Sequence, residues 1–189
     1  MRVLTKDELD DEGLVFLQQL RREIFIYPTD TIYGIGCDAR NERLVHRLRA
    51  IKRRQTQPFS VIAPSKKWIL ENCILDVQGK EWLSKLPGPF TLVLRLKNVK
   101  AVSSSVNGGS MTLGVRIPDH WISGLVRRLQ MPLITTSANV HGGNVMTCED
   151  DVSPALRREV PVMLYDGVVK GHPSTIVRLD KDRPQVIRR

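Results

Sequence analysis

Short apolar runs alternate with amphipathic segments along the whole chain, and this alternation limits the chain to a mixed α/β fold. The runs are rich in Val, Ile, Leu and Phe and too short for core helices, so they predict strands. The predicted strands cover residues 23–27, 59–63, 90–96, 112–117, 133–136, 162–165, 174–179 and 185–187. Because strands and helices do not alternate strictly in the second half, the pattern favours a twisted mixed sheet flanked by helices.

Capping residues mark where the predicted helices begin. Thr5 and Glu8 form a capping-box pattern before an apolar stripe, which predicts a helix over residues 6–22. Ser65 and Asp119 are the expected caps of two later helices. The helix after Ser65 is predicted to extend through residue 71, and the helix after Asp119 to about residue 129. Two more helices are predicted over residues 78–85 and 149–158. The Ser, Asn and Gly-rich residues 103–110 are expected to form a mobile polar loop.

Asn41 is the expected cap of a second amphipathic helix, which carries the most basic stretch of the chain. Its apolar face consists of Leu44, Val45, Leu48 and Ile51, and its polar face carries Arg43, Arg47 and Arg49. Lys52 and Arg54 lie at its C-terminal end. Cations at this end suit the helix dipole, so the pair either stabilises the helix terminus or contacts a ligand.

The chain is strongly basic. It has 29 Lys and Arg against 20 Asp and Glu, a formal net charge of +9 over 189 residues, which favours an anionic partner. No apolar run approaches the roughly 20 residues that cross a bilayer. The acidic N-terminus is unlike a targeting peptide. We therefore expect one domain over residues 1–189 in a cytoplasmic protein without membrane contact.

The cysteines and histidines give no sign of a metal or disulfide framework. Cys37, Cys73 and Cys148 are odd in number and widely separated, so three reduced thiols are expected. The four histidines show no metal-ligand spacing with one another or with the cysteines. We therefore expect no structural zinc and no other protein-bound metal.

Gly34-x-Gly36-x-x-Ala39 matches the relaxed dinucleotide-binding fingerprint, but its surroundings do not fit. Residues 28–33 separate the motif from the preceding strand, and Lys52 and Arg54 stand in the later region where an acidic residue would hold the ribose. Two glycines in a turn explain the motif better. The phosphate-binding motif Gly-x-x-x-x-Gly-Lys-Ser/Thr does not occur.

Three further polar stretches can each be explained in two ways. Residues 27–34 form either an ordinary loop or a ligand site at a strand end. Residues 135–142, with Gly143, form either a cap or turn, or a phosphate-binding loop. Arg116 lies in an apolar strand, where alternation could place it on a solvated face. If it faces a cleft instead, its planar guanidinium suits a carboxylate.

Six stretches taken together resemble the YrdC-like family, and the resemblance covers nearly the whole chain. They are PTDTIYG at 28–34, IKRR at 51–54, LPGPFT at 86–91, GVRIPDH at 114–120, SAN at 137–139 and PSTI at 173–176. The resemblance implies a single YrdC-like domain, a twisted mixed sheet flanked by helices, with a basic concave cavity. It also implies synthesis of threonylcarbamoyl-adenylate and pyrophosphate from L-threonine, bicarbonate and ATP. The product would pass to a tRNA-modifying threonylcarbamoyl transferase complex.

The resemblance also implies roles for individual residues. Lys52 and Arg54 would be the catalytic Lys-x-Arg pair on the ATP phosphates, aided by Mg²⁺ that bridges phosphate oxygens. Threonine would contact Thr31, Arg116, Ser137 and Ser174, with Arg116 on its carboxylate. ATP would also contact Thr112, Asn139, Thr147 and Arg188. Asp30 is conceivable as a general base, but no residue is assigned to that role.

The chain departs from the family pattern directly after Arg54, where residues 55–58 are one residue shorter than the usual spacing. A different class of function also fits the charge, namely a non-catalytic RNA-binding module with a basic concave face. Only three Trp, three Tyr and four Phe are present, and they are not interleaved with basic residues. Stacking platforms for bases are therefore not evident, which favours the enzyme over the RNA-binding module.

Overall fold

A computed structural model describes residues 1–139, 146–181 and 183–188. Within these residues, eleven strands join into one sheet in the order β1-β9-β2-β3-β8-β4-β7-β6-β10-β11, and β5 pairs with β6. The strands are β1 Arg2–Thr5, β2 Phe25–Tyr27, β3 Gly34–Gly36, β4 Ser60–Ile62, β5 Cys73–Ile74, β6 Phe90–Leu96, β7 Thr112–Arg116, β8 Leu133–Ser137, β9 Val162–Tyr165, β10 Thr175–Arg178 and β11 Gln185–Ile187.

The sheet is mixed, which confirms the predicted fold class. Parallel pairs, such as β1 with β9 and β4 with β7, stand beside antiparallel pairs, such as β3 with β8. In its middle, β8 pairs with β3 on one side, where Ser137 lies opposite Gly34. On the other side β8 pairs with β4, where Thr135 lies opposite Ser60, and β4 pairs with β7, which ends at Arg116. The basic character of the implied cavity stays a prediction.

Helices cover both faces of the sheet because alternate strand residues are apolar on both sides. Phe25 and Tyr27 of β2 belong to one buried cluster, and Ile26 belongs to the other. The helices are α1 Lys6–Asp11, α2 Leu14–Leu20, α3 Glu42–Lys52, α4 Lys66–Asn72, α5 Val77–Ser84, α6 Ser104–Asn107, α7 Ile122–Leu129 and α8 Pro154–Glu159. Helices α2 and α7 pack in the first cluster and α3 packs in the second. No helix in the described part of the chain is long and apolar enough to cross a membrane.

Three of the predicted helix caps, Thr5, Asn41 and Ser65, are confirmed. The Thr5 and Glu8 capping box is present, and the Asn41 side chain accepts a hydrogen bond from the Leu44 amide at 3.2 Å to open α3. Ser65 caps α4 in the same way through the Trp68 amide. The predicted helix over residues 6–22 is instead two helices, because the chain is extended at Glu12 and α2 begins anew after Gly13.

Several sequence-based expectations were wrong. Residues 34 and 36 are not turn glycines but belong to β3, in the middle of the sheet. Residues 103–110 include the helix α6, and Val106 and Asn107 are buried there because they pack inward. The side chain of Asp119 does not cap α7, whose first turn has no side-chain cap. The predicted helix over 149–158 is a 3₁₀ turn, Glu149–Asp151, followed by α8, which Ser153 caps before Pro154.

The close approach of β3 to β8 requires glycine at position 36. A Cβ there would lie 1.7 Å from the carbonyl oxygen of Ile134. We expect Gly36→Ala to lower the free energy of unfolding by at least about 2 kcal/mol, because the strands must separate. Gly124→Ala in α7 is the matched control, because a Cβ added there would meet no atom within 4 Å apart from its own helix backbone and chain neighbours. It should leave stability unchanged or raise it by roughly 0.5–1 kcal/mol in urea denaturation. Equal stability of the two variants would contradict this packing.

Candidate active site

Polar side chains from six parts of the chain line a cavity of about 180 Å³ in the middle of the sheet. These parts are the loop that leads into β3, the segment from Arg54 to the start of β4, the start of β6, the ends of β7 and β8, and the segment before β10. The structure thereby brings together five of the residues predicted for the site: Thr31, Arg54, Arg116, Ser137 and Ser174. The predicted site at residues 27–34 is therefore part of a cavity wall rather than an isolated loop.

Arg116 is the buried charge of this cavity. Its side chain is 6 % exposed and forms an ion pair with Asp30, whose side chain is 11 % exposed. Its Nη1 donates to Thr31 Oγ1 at 3.2 Å, and the second Asp30 oxygen accepts from the Asp119 amide at 2.9 Å. The explanation that Arg116 lies on a solvated strand face is therefore wrong. Burying this guanidinium is tolerable because a carboxylate and a hydroxyl contact it.

Hydroxyl groups line the same cavity as the Arg116 guanidinium. The Oγ1 atoms of Thr29 and Thr31 lie 2.8 Å apart, and Thr29 also donates to the Ile32 carbonyl at 2.7 Å. Across the cavity, the hydroxyls of Thr91 and Ser174 are hydrogen-bonded at 2.7 Å. Such groups can both donate and accept, so they suit a small zwitterionic ligand beside the arginine.

Lys52, the last residue of α3, lies behind the cavity wall and is fully buried. Its Nζ donates to the Ser137 carbonyl at 2.6 Å, to Asn139 Oδ1 at 2.7 Å and to the Asn139 carbonyl. Burial, and then the nearby charge of Arg54, lower the pKa of Lys52 to about 7. The three oxygen acceptors favour the protonated amine and act in the opposite direction. Lys52 thus holds the turn at residues 137–139.

Arg54 stands in the cavity wall itself. Its Nη1 donates to Thr136 Oγ1 at 3.3 Å, and its buried Nε has no hydrogen-bond partner among the described residues. A buried donor without an acceptor is costly, so a ligand oxygen at this position would be stabilised. The two residues of the predicted pair therefore have different positions: Arg54 lines the cavity, whereas Lys52 lies behind the cavity wall. Their role on phosphate stays a prediction.

Comparison with known proteins identifies the family. A family model for Sua5, YciO and YrdC proteins, described as "Telomere recombination", matches residues 18–189. The chain belongs to the Sua5/YciO/YrdC family. It is 34 % identical over 186 residues to a Methanocaldococcus jannaschii protein named "Putative threonylcarbamoyl-AMP synthase", and the match covers 93 % of this chain and 86 % of that one.

Two further relatives agree with this family membership. The threonylcarbamoyl-AMP synthase of Pseudoalteromonas atlantica is 31 % identical over 177 residues, with 90 % of this chain and 91 % of the relative covered. The crystal structure of P. abyssi Sua5 complexed with L-threonine superposes with a TM-score of 0.86 at 25 % identity. The superposition covers 100 % of this chain but only 57 % of the Sua5 chain, so this chain spans little more than half of that protein.

The other residues that the family resemblance assigned to ATP lie outside the cavity lining. Asn139 contacts Lys52, and Thr112 begins β7, the strand that Arg116 ends. Thr147 donates through its amide and its hydroxyl to Asp151 at 2.7 and 2.8 Å. Arg188 follows β11, whose Ile187 pairs with Ile176, so it lies toward the end of β10 nearest Ser174. The proposed phosphate-binding glycines 142 and 143 lie outside the described residues.

Sequence reasoning missed three parts of the site of this family member. Asp30 was considered as a base, whereas its carboxylate is the ion-pair partner of Arg116. Thr91 ends the stretch LPGPFT and was given no role, yet it holds Ser174. Ser60 lines the cavity where β4 begins. A hydroxyl inside each apolar run was the available signal, but it does not reveal which strands become neighbours.

The lowered pKa of Lys52 predicts a pH-dependent stability. Above about pH 7 the folded protein has released this proton, whereas an unfolded chain retains it up to about pH 10.5. The unfolded state then binds more protons, so the free energy of unfolding rises with pH across this window. We therefore expect the free energy of unfolding of the wild type to rise relative to that of Lys52→Met by up to about 1.4 kcal/mol per pH unit.

Urea denaturation of both proteins between pH 7 and pH 10 measures this difference. Lys80→Met, at an exposed position, controls for the loss of a lysine as such. A difference between the wild type and Lys52→Met that stays constant or shrinks with rising pH would contradict the lowered pKa of Lys52.

Proposed function

We propose that this chain is a threonylcarbamoyl-AMP synthase, which forms threonylcarbamoyl-adenylate and pyrophosphate from L-threonine, bicarbonate and ATP. The observation that carries the proposal is the hydroxyl-lined cavity that has both Arg116 and Arg54 in its lining. An arginine for a carboxylate and an arginine for a phosphate are the two charges that this reaction requires. Relatives bearing this name and the threonine complex of Sua5 support the same conclusion.

Threonine binds at the end of the cavity near Arg116. The guanidinium of Arg116 pairs with the amino acid carboxylate, since its planar fork matches two carboxylate oxygens. Thr31, Ser137 and Ser174 contact the amine and the side-chain hydroxyl. Asp30 keeps Arg116 in position and balances its charge before threonine arrives. A volume of about 180 Å³ suits an amino acid rather than a whole nucleotide.

ATP binds toward Arg54, with its phosphates over the turn at residues 137–139. Arg54 neutralises charge on the reacting phosphate, and its Nε, which has no hydrogen-bond partner in the described part of the chain, can donate to a phosphate oxygen. Lys52 contributes by fixing Asn139. The remaining ATP contacts assigned by family resemblance are Thr112, Asn139, Thr147 and Arg188.

The reaction joins the two ligands through one carbon. The threonine amine attacks the bicarbonate carbon, and water leaves with one amine hydrogen and the bicarbonate hydroxyl, which gives a carbamate. A carbamate oxygen then attacks the α-phosphorus, the bond to the bridging oxygen breaks, and pyrophosphate departs. The cavity holds the two ligands in contact and stabilises the charge that develops on the phosphorus oxygens, which supplies most of the rate.

Mg²⁺ enters as part of the ATP substrate in this proposal. Asp30 lies beside the cavity, but its carboxylate is already engaged by Arg116 and by the Asp119 amide. Among the described residues, no group of three or more His, Cys, Asp or Glu could hold a metal ion. The ion would therefore be held by the phosphates and water, as is usual for Mg²⁺ bound with a nucleotide.

The labile product calls for a partner that consumes it soon after it forms, and we expect both proteins in the cytoplasm. A threonylcarbamoyl transferase complex that modifies tRNA beside the anticodon would consume the adenylate. Direct RNA contact by the surface charge of +9 is compatible with this role. As a sole function, the non-catalytic RNA-binding module accounts neither for the buried Arg116 nor for the names of the relatives.

Pyrophosphate release tests the proposed function. The purified protein should release pyrophosphate from ATP only when threonine and bicarbonate are both supplied. Arg54→Ala should lower turnover by about 10²-fold or more, because it removes a charge-stabilising group. Arg53→Gln, at the exposed neighbouring position, is the control and should retain activity. Pyrophosphate release that does not depend on threonine would contradict the proposal. Full activity of Arg54→Ala would show that Arg54 does not act on the phosphates.

A conservative change tests the threonine end separately. Arg116→Lys keeps the positive charge beside Asp30 but loses the planar fork. We expect the KM for threonine to rise about tenfold or more, with little change in the KM for ATP. Arg128→Lys, an exposed arginine on α7, is the control. An unchanged KM for threonine in Arg116→Lys would show that the threonine carboxylate binds elsewhere.

A further inference from the structure

Arg49 was predicted to lie on the polar face of its helix, but its guanidinium instead donates to several backbone carbonyls. Its Nη1 donates to the carbonyls of Arg54, Gln55 and Gln57 at 3.1, 3.2 and 3.2 Å. The same guanidinium donates through Nε to the Ser105 carbonyl at 2.7 Å and through Nη2 to the Val106 carbonyl at 3.3 Å. Its Cζ also lies 4.8 Å from the centre of the Phe59 ring. Arg49 therefore joins two segments that are distant in sequence.

The first of these segments, residues 54–58, carries Arg54 and forms part of the cavity wall at Pro58. It has no regular secondary structure, and residues 55–58 are exposed, so little apolar burial fixes its shape. It is also the stretch that is one residue shorter than the family pattern. A guanidinium has five N–H donors in a rigid plane, which lets one side chain hold several carbonyls of such a segment at once.

The second segment leads to the other side of the proposed ATP site. Ser105 and Val106 belong to α6, whose last residue Asn107 donates to the carbonyls of Ser110 and Thr112 at 2.7 and 2.9 Å. Thr112 is one of the residues assigned to ATP. A second cavity, of about 320 Å³, opens between the two segments and shares Arg54 with the first.

We propose that Arg49 is a positioning residue for the ATP end of the site, which fixes segment 54–58 against α6 and thereby sets the place of Arg54. The proposal rests on the function proposed above. Arg49 is not itself a phosphate ligand, because its guanidinium is already directed at five backbone carbonyls. Its effect on the reaction passes through Arg54 and the walls of the second cavity.

Arg49→Lys and Arg49→Met test this role. Lysine keeps the charge but offers a point donor instead of a planar fork, so it should fail to rescue. In both variants we expect the KM for ATP to rise about tenfold, the KM for threonine to stay near the wild-type value, and folding to persist in thermal melts. Arg43→Lys, at an exposed position on the same helix, is the matched control and should behave as wild type.

Hydrogen exchange without substrates separates this proposal from the proposed function. The Arg54 and Phe59 amides are hydrogen-bonded to the Arg49 and Val106 carbonyls at 3.0 and 2.8 Å, so peptides over residues 53–60 report on the segment. Exchange there should be faster in Arg49→Lys than in Arg43→Lys, whether or not the wild type makes the adenylate. Unchanged exchange would overturn the proposal, as would faster exchange with an unchanged affinity for ATP in calorimetry or with an equal rise in both KM values.

Discussion

The ion pair between Arg116 and Asp30 is the contact on which the arrangement of the site depends. It joins the end of β7 to the loop that links β2 and β3, two parts of the sheet that do not pair directly. A buried guanidinium without this carboxylate would cost several kcal/mol, roughly 3–5 when one partner of such a pair is removed. The ion pair therefore holds the loop at residues 28–34 over the cavity, and the hydroxyl groups of this loop are buried with Arg116.

Small residues and a second buried cation complete the walls. Gly171 lies so close to the 28–34 loop that a Cβ there would stand 1.9 Å from the Thr31 carbonyl oxygen, which lets the segment before Ser174 cover the loop. On the opposite side, Lys52 gathers the oxygens of residues 137 and 139. The two cations have different tasks: Arg116 is presented to the cavity, whereas Lys52 shapes the turn that borders it.

The sequence predicted local features well and distant contacts poorly, for a physical reason. Asn41 was correctly identified as a helix cap because its acceptor and the Leu44 amide are three residues apart. By contrast, the strand at Gly34–Gly36 owes its place to pairing with Thr136 and Ser137 of β8, about a hundred residues away, and glycine itself disfavours strands. The structural roles of Lys52 and Arg49 were equally hidden, since most of their acceptors are backbone carbonyls that no side-chain pattern reveals. The family resemblance nevertheless predicted five of the residues that line the cavity. Its motifs contain polar side chains that the formation of the fold does not require.

The most direct test of this account is the identity of the product. The purified chain, supplied with ATP, threonine and ¹³C-bicarbonate, should yield an adenylate that contains the threonine and the labelled carbon, as detected by mass spectrometry of the quenched reaction. Such a product would establish that the chain joins threonine, the bicarbonate carbon and the adenylate in one reaction. A nucleotide product without threonine or without the label would contradict the account.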